Sequence, residues 1–410
     1  MSDYKTIDQC RACSDHNLTP LFSLGSQYVS DFVGVGHIRT GNLCPIDVVL
    51  CNGCALVQLK HTAPQDFLYT RHYWYRSGVT RTMCLALADI AASAQGLVRL
   101  GTGDVVLDIG SNDGTLLRSY TEPVVRVGVE PADNLAQEGA AGIDQLIHAF
   151  WDFNVYYDQI GKLAKVVTAI GMFYDLDDPN QFIADIASAL HKDGLFIAQL
   201  MTLRNTINKN DVGNFCHEHL EFYSYKSLSY LFEKHGLEII DVQTNDVNGQ
   251  SDRYYVRHRG GSLQPEYGAA ERIANIKARE VLLDNPKLYT TFFQGLEYNK
   301  KRVHDFVEYV NRMDKMVWVY GASTKGNVIL QYYGLDSTII QGAAERSPST
   351  CGKFTVGTGI PIYDEDTARE HADYFLILPY AFTHEFLERE KKWRDAGGKF
   401  IVPLPEMVIL

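Results

Sequence analysis

The chain has 410 residues, 46% of them hydrophobic and 21% charged, and a formal net charge of −12 at pH 7, a length that predicts two or three globular domains. The acidic balance disfavours a nucleic-acid-binding surface, and no apolar run reaches the roughly 18 residues that a membrane span requires. Because the first residues also lack the apolar region of a signal peptide, we expect a cytoplasmic protein.

Two Cys-x-x-Cys pairs lie in the first sixty residues. Cys10 with Cys13, and Cys51 with Cys54, can each place two thiolates on one tetrahedral metal ion, and Zn²⁺ is the usual metal for four sulfur ligands. Disulfides are not expected in a reducing compartment. Four thiolates leave no open coordination position, so we expect a structural zinc site. The alternative is a metal-free thiol cluster, and Cys44 is expected to be a buried cysteine outside it.

An aromatic segment follows between residues 63 and 82 and includes Tyr73 and Tyr75. Aromatic side chains with polar tips suit a pocket wall, although a patch that joins two domains is an equal alternative. An alanine-rich amphipathic helix is predicted next, from Met83 to Leu100.

The segment Val105–Leu116, VVLDIGSNDGTL, predicts a strand, a glycine-rich turn and a helix. Such a turn lets the backbone approach a ligand, and the helix N-terminus offers N–H groups. The carboxylates of Asp108 and Asp113 would repel a phosphate and suit a cationic ligand. Glu130 follows the next strand at the spacing of an acid that binds a ribose diol. We therefore expect an S-adenosylmethionine site rather than an ordinary turn, with Asp108, Gly110, Asn112, Asp113 and Glu130 as cofactor-binding residues.

Strands and helices alternate along the central region. The expected strands are Val125–Val129, Val166–Ile170, Leu195–Leu200 and Leu237–Val242, and the expected helices include Asn180–Leu190 and Tyr225–His235. This alternation predicts a doubly wound α/β sheet, with helices on both faces and the ligand at the carboxyl ends of the strands.

The segment Phe215–Ser224, FCHEHLEFYS, places His217 and His219 on either side of Glu218. In extended backbone the two imidazoles would share one face. Two histidines without a third ligand make a weak metal site, and the H-E-x-x-H spacing is absent. A histidine beside a carboxylate is a common general base. Two buried histidines bonded to the backbone are the structural alternative.

A change of character after Gly260 begins a second α/β region. A long charged helical region is predicted from Tyr267 to Asp314, and a second strand, turn and helix follow around GASTKGN. In this turn Ser323, Lys325 and Asn327 are donors at a helix N-terminus, which suits a phosphate; a capped helix is an equal alternative. No Walker motif is present, so ATP hydrolysis is not indicated.

The motifs CRAC, CNGCALVQL, YWYRSGVT, LDIGSNDGTLL, MFYDLDDP, CHEHLEFYS, NDVNG, GASTKGN, AAER and GTGIPIY occur in this order. Together they resemble the nucleotide-sugar C-methyltransferases, the C-3′ methyltransferases of branched-chain deoxysugar biosynthesis. The resemblance covers nearly the whole chain. It implies a zinc-binding module at 1–75, a Rossmann-like S-adenosylmethionine-dependent methyltransferase domain at 76–260, and a second Rossmann-like α/β domain at 261–410 that helps to hold the nucleotide sugar.

The resemblance implies methylation of the carbon alpha to the ketone of an NDP-4-keto-6-deoxyhexose. His219 is then expected to remove the C-3′ proton, and Glu218 to orient and polarise its ring. The family often has Tyr before HEH, where this chain has Cys216, so we expect the enolate oxygen to be stabilised by Tyr223, Tyr73 or Tyr75. Met172, in MFYDLDDP, is expected to bind the cofactor. The expected substrate-binding residues are Tyr73, His217, Asn248, Ser323, Lys325, Asn327 and Arg346.

The segment NGQSDRYYV replaces the more usual NGGS-x-R pattern and places Gln250 and Asp252 near the expected pocket, so we expect altered sugar recognition. An O- or N-methyltransferase of the same fold is the alternative function, but HEH favours carbon because a carbon acid needs a positioned base. A zinc-module RNA- or protein-binding factor is disfavoured by the acidic balance. The expected partner is a sugar carried by dTDP, GDP or CDP, with no nucleic acid or membrane, and the resemblance implies a monomer.

Overall fold

A computed structural model describes residues 4–70 and 73–410 and shows a mixed α/β chain with sheets of four, seven and six strands. Within those two ranges, none of the helices combines the length and apolarity that crossing a membrane would need. The architecture confirms the expected α/β fold class, an N-terminal module followed by two α/β regions.

The N-terminal module is built on an antiparallel sheet of four strands. In spatial order these strands are Glu221–Phe222, Val57–Leu59, Leu43–Cys51 and Leu18–Tyr28. The first of them comes from the central region, where Glu221 pairs with Gln58 and Phe222 with Val57. Smaller pairings join Lys5–Thr6 to His61–Thr62, and Phe32–Val33 to Phe354–Thr355 in the C-terminal region. The module also has short helices at Val35–His37 and Gln65–Tyr69. Strand pairing therefore joins the module to both other regions.

The central sheet has seven strands, of which the first three pair antiparallel and the rest parallel. Their spatial order is Leu237–Asn245, Ser251–His258, Leu190–Leu200, Ala164–Ile170, Val105–Ile109, Val125–Val129 and Gln145–Ile147. Chain order reverses beside the buried strand Val105–Ile109, whose neighbours are Val125–Val129 and Ala164–Ile170. In open α/β sheets ligands bind outside the carboxyl ends at such a point, and we call this place the crevice.

Helices cover the central sheet. The first, Arg81–Leu97, begins where the Thr80 side chain accepts a hydrogen bond from the Met83 N–H, and it buries Leu87, Ile90 and Ala94 at helical spacing. The other helices are Thr115–Arg118, Ala136–Ala140, Phe153–Ile160, Pro179–Ala189, Leu203–Asn208 and Tyr225–Lys234, with 3₁₀ turns at Ser77–Val79, Val212–Asn214 and Val247–Gly249.

The C-terminal region begins with two helices, Ala269–Arg279 and Pro286–Arg312, where one long helical region was predicted. The second helix has its own start because Asn285 caps it and Pro286 occupies its first turn. The sheet that follows has the order Ile362–Asp364, Gly342–Glu345, Val317–Tyr320, Tyr374–Ile377, Lys399–Val402 and Val408–Ile409, and only the last pairing is antiparallel. Its helices are Thr324–Tyr333, Glu365–His371, Tyr380–Phe382, Thr383–Arg389 and Lys391–Asp395.

Candidate active site

The four predicted metal ligands lie together. The sulfur atoms of Cys10, Cys13, Cys51 and Cys54 are all within 4.8 Å of one another, and the Cys10–Cys54 and Cys13–Cys51 pairs are 3.6 and 3.3 Å apart. A tetrahedral zinc ion with Zn–S bonds of about 2.3 Å places its sulfurs about 3.8 Å apart. The donor set therefore fits a structural Zn²⁺ ion. Cys44 is buried outside the cluster, as expected.

Arg11, inside the first cysteine pair, connects this cluster to the HEH segment. Its buried guanidinium donates to the Leu59 carbonyl and the Thr62 hydroxyl at 2.6 and 2.8 Å, and its Nε lies 3.8 Å from a carboxylate oxygen of Glu221. The Asn180 amide donates to the Arg11 carbonyl at 2.6 Å. The sequence did not predict the contact with Glu221, because Arg11 and Glu221 are distant in the chain.

The glycine turn lies at the crevice. Gly110 has a φ of +70°, and a Cβ atom there would be 2.9 Å from the Met172 side chain, so glycine is required. Buried Glu130 accepts the N–H groups of Asn112 and Ala132, both at 2.9 Å. Burial raises the pKa of Glu130, and these two hydrogen bonds oppose the shift. Glu130 is thus held rigidly beside the turn.

The other polar residues of the turn mostly contact the protein itself. Asp108 is buried and accepts the Thr168 hydroxyl at 2.6 Å; burial raises its pKa to about 7. Asp113 accepts the N–H groups of Thr115 and Gly78. Asn112, at positive φ, accepts the Ser77 N–H and donates to the Tyr75 carbonyl. Asn112 and Asp113 therefore fasten residues 75–78 to the turn, which the sequence did not reveal.

A single loop after the strand Ala164–Ile170 joins the turn to the HEH segment. Met172 covers Gly110, while the Tyr174 ring lies 4.4 Å from the His219 ring. The Tyr174 carbonyl accepts the N–H groups of Leu220 and Glu221 at 2.8 and 3.0 Å. Met172 and Tyr174 are two positions apart in the chain, so one short loop contacts both the predicted cofactor turn and the predicted base.

His219 is buried, and its Nδ1 lies 3.0 Å from the Asn214 carbonyl. A carbonyl accepts only, so Nδ1 carries the ring proton and Nε2 keeps its lone pair. Burial, then the charge of Lys325, lowers the pKa of His219 well below 6.5 and keeps the ring neutral. The structure corrects the prediction that Glu218 orients this ring, because the orienting acceptor is the Asn214 carbonyl.

Glu218 is enclosed beside His219. Its backbone carbonyl accepts the Tyr69 hydroxyl at 2.9 Å, and its Oε2 has no hydrogen-bond partner among residues 4–70 and 73–410. Burial raises the pKa of Glu218 and holds that of Asp175 well above its usual value, to which the Glu218 charge adds. Burial therefore disfavours ionisation of both carboxyl groups.

Two residues predicted for the site are core residues instead. Tyr223 is fully buried and stacks on Phe173 at 5.2 Å, among groups that include Glu221 and Cys10. This placement corrects its prediction as an enolate stabiliser. His217 is buried with its Nε2 2.9 Å from the Cys44 carbonyl, and burial lowers its pKa to about 4. It matches the alternative of a buried histidine bonded to the backbone rather than a substrate-binding residue.

Tyr73 and Tyr75 follow the zinc-binding module. The Tyr73 N–H donates to the Asn134 side-chain oxygen at 2.9 Å, and the Asn134 side-chain nitrogen donates to the Tyr73 carbonyl at 3.0 Å. Burial raises the pKa of Tyr73 well above 10, and the charges of Asp175 and Glu130 add to the shift. Tyr73 thus lies between the HEH side and the cofactor side of the crevice, whereas Tyr75 is 44% exposed.

The C-terminal residues predicted to bind substrate differ in their contacts. Ser323 caps its helix by accepting the Gly326 N–H at 3.0 Å, and Asn327 donates to the Asp31 carbonyl. Arg346 is exposed. Lys325 reaches toward the crevice, and its Nζ lies 3.3 Å from the Asn214 side-chain oxygen and 3.0 Å from the Met201 sulfur. The start of this helix therefore matches the capped-helix alternative, with Lys325 directed inward.

The loop that contains Asn248 and Gly249 contacts Tyr380. Asn248 has a φ of +53° and is half-buried, and a Cβ atom on Gly249 would lie 3.2 Å from the Tyr380 hydroxyl. Tyr380 donates to Asp211 at 3.1 Å. Asp252 is fully buried and pairs with Arg204 at 2.7 Å, so the prediction that it alters sugar recognition is corrected to a structural role.

Three family models match the chain in order: a zinc-binding domain at residues 10–69, a methyltransferase domain at 75–242, and a C-methyltransferase C-terminal domain at 246–405. The curated C-methyltransferase NovU of Streptomyces niveus is 29% identical over 408 residues, which cover 98% of this chain and 96% of NovU.

Solved structures are more distant. Magnesium protoporphyrin IX methyltransferase from Synechocystis PCC 6803 is 14% identical, over 45% of this chain and 90% of that one, with a TM-score of 0.35. An S-adenosylmethionine-dependent methyltransferase from Clostridium acetobutylicum is also 14% identical, over 45% and 94% of the two chains, with a TM-score of 0.34.

Proposed function

Because the chain belongs to the C-methyltransferase family and is an S-adenosylmethionine-dependent enzyme with a structural zinc site, we propose that it methylates C-3′ of an NDP-4-keto-6-deoxyhexose. The observation that carries the proposal is the placement of His219. It is a neutral, buried imidazole with its Nδ1 fixed by the Asn214 carbonyl, and the loop that covers Gly110 also contacts its ring.

The substrate must first become a carbon nucleophile. The C-3′–H bond breaks, the proton passes to Nε2 of His219, and the electron pair moves toward the 4-keto oxygen to give an enolate. The hydrogen bond from Nδ1 to Asn214 leaves Nε2 as the only ring nitrogen that can accept this proton. When bound, S-adenosylmethionine supplies an electrophilic methyl group for the new carbon–carbon bond.

Some residues of the crevice are proposed to bind the cofactor and others the sugar. Glu130 is suited to the ribose diol of the cofactor, Gly110 lets the backbone approach it, and Met172 lies over the turn. Tyr73 and Asn248 are proposed for the sugar side of the crevice. The nucleotide is dTDP, GDP or CDP. The domain division after residues 75 and 260, a monomeric state and a cytoplasmic location belong to this proposal on the grounds given from the sequence.

The test is methyl transfer to a defined atom. The protein is incubated with S-adenosylmethionine and a panel of NDP-4-keto-6-deoxyhexoses, and mass spectrometry and NMR locate the added methyl group. In heavy water without methyl donor, the wild type should also exchange the C-3′ proton for deuterium. His219→Ala should slow exchange and turnover by roughly two to four orders of magnitude while still binding S-adenosylhomocysteine.

The matched control is His217→Gln, whose amide can still donate to the Cys44 carbonyl. It should retain exchange at a rate close to wild type. A methyl group found on oxygen or nitrogen would support the alternative acceptor and contradict the proposal. Normal deuterium exchange by His219→Ala would place the base elsewhere.

A further inference from the structure

Lys325 reaches the crevice from the C-terminal region because two elements pack closely. It is the second residue of the helix Thr324–Tyr333, whose start lies against the 3₁₀ turn Val212–Asn214. A Cβ atom on Gly213 would be 3.1 Å from the Lys325 carbonyl oxygen, so a larger residue there would push the helix away. The helix start, and with it the lysine, is therefore fixed against the loop that holds His219.

Asn214 contacts both the lysine and the proposed base. Its side-chain oxygen lies 3.3 Å from Lys325 Nζ, and its backbone carbonyl lies 3.0 Å from His219 Nδ1. The lysine Nζ also lies 3.0 Å from the Met201 sulfur. One buried asparagine thus sets the positions of an ammonium group and an imidazole relative to each other.

The ammonium group has carboxyl groups around it but no close ion pair. Its charge lowers the pKa values of Asp175, Asp211 and Glu218 against the larger opposing effect of burial. The contacts of Lys325 Nζ in residues 4–70 and 73–410 are with two uncharged groups, the Met201 sulfur and the Asn214 side-chain oxygen. A half-buried cation without a neutralising contact is suited to an anion that forms transiently in the crevice.

Other donors for the enolate oxygen are placed less well. Cys216 is a buried thiol whose pKa burial raises well above 9, and Tyr223 is packed in the core on Phe173. The Tyr75 carbonyl is tied to Asn112, and its side chain is 44% exposed. Lys325, by contrast, carries a positive charge and contacts Asn214, the residue whose carbonyl holds His219 Nδ1.

We infer that Lys325 is a catalytic residue that stabilises the enolate oxygen, and this inference rests on the proposed function. In a 4-keto sugar the C-3′ hydrogen and the ketone oxygen are on adjacent carbons, so a base and a cation that act on them must converge. As the C–H electron pair moves toward the ketone oxygen and the proton moves to His219, the negative charge on oxygen meets the ammonium group. The ammonium keeps its own protons throughout.

The alternative is that Lys325 binds the diphosphate of the nucleotide, as a donor at a helix N-terminus would. The two roles give different measurements. A diphosphate contact acts in binding, so its loss weakens the affinity for dTDP, GDP or CDP alone. An enolate contact acts only when charge develops, so its loss slows proton exchange at saturating substrate.

The experiment compares wild type with Lys325→Met, which removes the charge, and Lys325→Gln, which keeps a donor for Asn214 without charge. Lys287→Met, an exposed lysine on another helix, is the matched control. Each protein is assayed for C-3′ deuterium exchange without methyl donor, for methyl transfer, and by calorimetry with S-adenosylhomocysteine and with each nucleoside diphosphate alone.

Both Lys325 variants should lose about a hundred- to a thousandfold in exchange and methyl transfer, the usual effect of removing one oxyanion donor. Their affinities for S-adenosylhomocysteine and nucleoside diphosphate should stay close to wild type. Normal exchange at saturating substrate, with weakened nucleoside diphosphate binding, would overturn the inference and leave the proposed function intact. A wild type that neither exchanges nor methylates any sugar of the panel would overturn both.

Discussion

The guanidinium of Arg11 lies 3.8 Å from the carboxylate of Glu221, so a residue between two zinc ligands contacts a residue two positions after His219. Both groups are buried. Glu221 in turn accepts the Leu176 N–H at 3.3 Å, on the loop that contacts the His219 ring. The zinc-binding cluster is therefore mechanically connected to the proposed base, although zinc itself takes no part in the chemistry.

The first prediction concerns the metal. Elemental analysis should find about one zinc per chain, and Cys13→Ser with Cys54→Ser should remove it. Chelation should lower Tm and slow deuterium exchange, because the zinc ligands Cys10 and Cys13 fix the position of Arg11. These effects should appear before S-adenosylhomocysteine binding weakens. Cys84→Ser, a cysteine outside the cluster, is the control. Full zinc content after loss of the two cluster thiols would contradict the assignment.

The second prediction concerns Glu130. Glu130→Ala should weaken S-adenosylhomocysteine binding about ten- to a hundredfold, since a charge-assisted hydrogen bond contributes roughly 1.5–3 kcal/mol. Calorimetry measures this directly. The control is Glu122→Ala, at an exposed acid that precedes the strand Val125–Val129, which Glu130 follows; this variant should bind S-adenosylhomocysteine normally. Equal affinity of the two variants would mean that the ribose lies elsewhere.

The third prediction concerns the pH dependence of stability. Burial raises the pKa of Asp108 from 3.8 to about 7, and the Glu130 charge adds to the shift while the Thr168 hydrogen bond opposes it. The unfolded chain releases this proton near pH 4, whereas the folded chain keeps it to about pH 7. Within that window the folded protein binds more protons, so this group's stabilising contribution falls as pH rises.

Asp108→Asn keeps the shape but does not titrate. Urea unfolding of wild type and variant between pH 4 and 8 should therefore give a stability difference that shifts toward the variant as pH rises. Asp158→Asn, on an exposed carboxyl, serves as the control. A difference that does not change with pH would show that Asp108 is ionised throughout.

The fourth prediction concerns the buried pair of Arg204 and Asp252. Arg204→Met should destabilise the protein by about 3–5 kcal/mol, because it leaves a buried carboxylate without its partner. The Thr202 and Thr244 hydroxyls, which also contact Asp252, cannot supply the missing charge. Adding Asp252→Asn should restore part of the loss. If Arg204→Met has normal stability but altered sugar preference, Asp252 contacts the substrate after all.

The features that the sequence predicted are local in the chain. Val105–Leu107 is an apolar run that stops at Asp108, the glycine turn follows closely, and each cysteine pair has its own two-residue spacing, so pattern and spacing were enough. The C-terminal helices were harder, because the capping residue Asn285 interrupts a continuous charged pattern.

The features that the sequence did not predict depend on partners distant in the chain. The contact of Arg11 with Glu221 and that of Lys325 with Asn214 have no periodic signal, because each joins residues on different elements. Tyr223 shows a different difficulty. A tyrosine beside HEH suggests a pocket hydroxyl, yet its ring fills the core against Phe173, and sequence alone does not say which way a side chain turns.

The strand Glu221–Phe222 has a consequence for the order of synthesis. The N-terminal sheet begins at Leu18, but the ribosome must make more than half of the chain before this strand can pair with Val57–Leu59. Until then Val57–Leu59 is an open edge, and open edges pair readily with other chains. The part of the protein that emerges first is thus among the last to be completed, and a fragment that ends before residue 221 should aggregate.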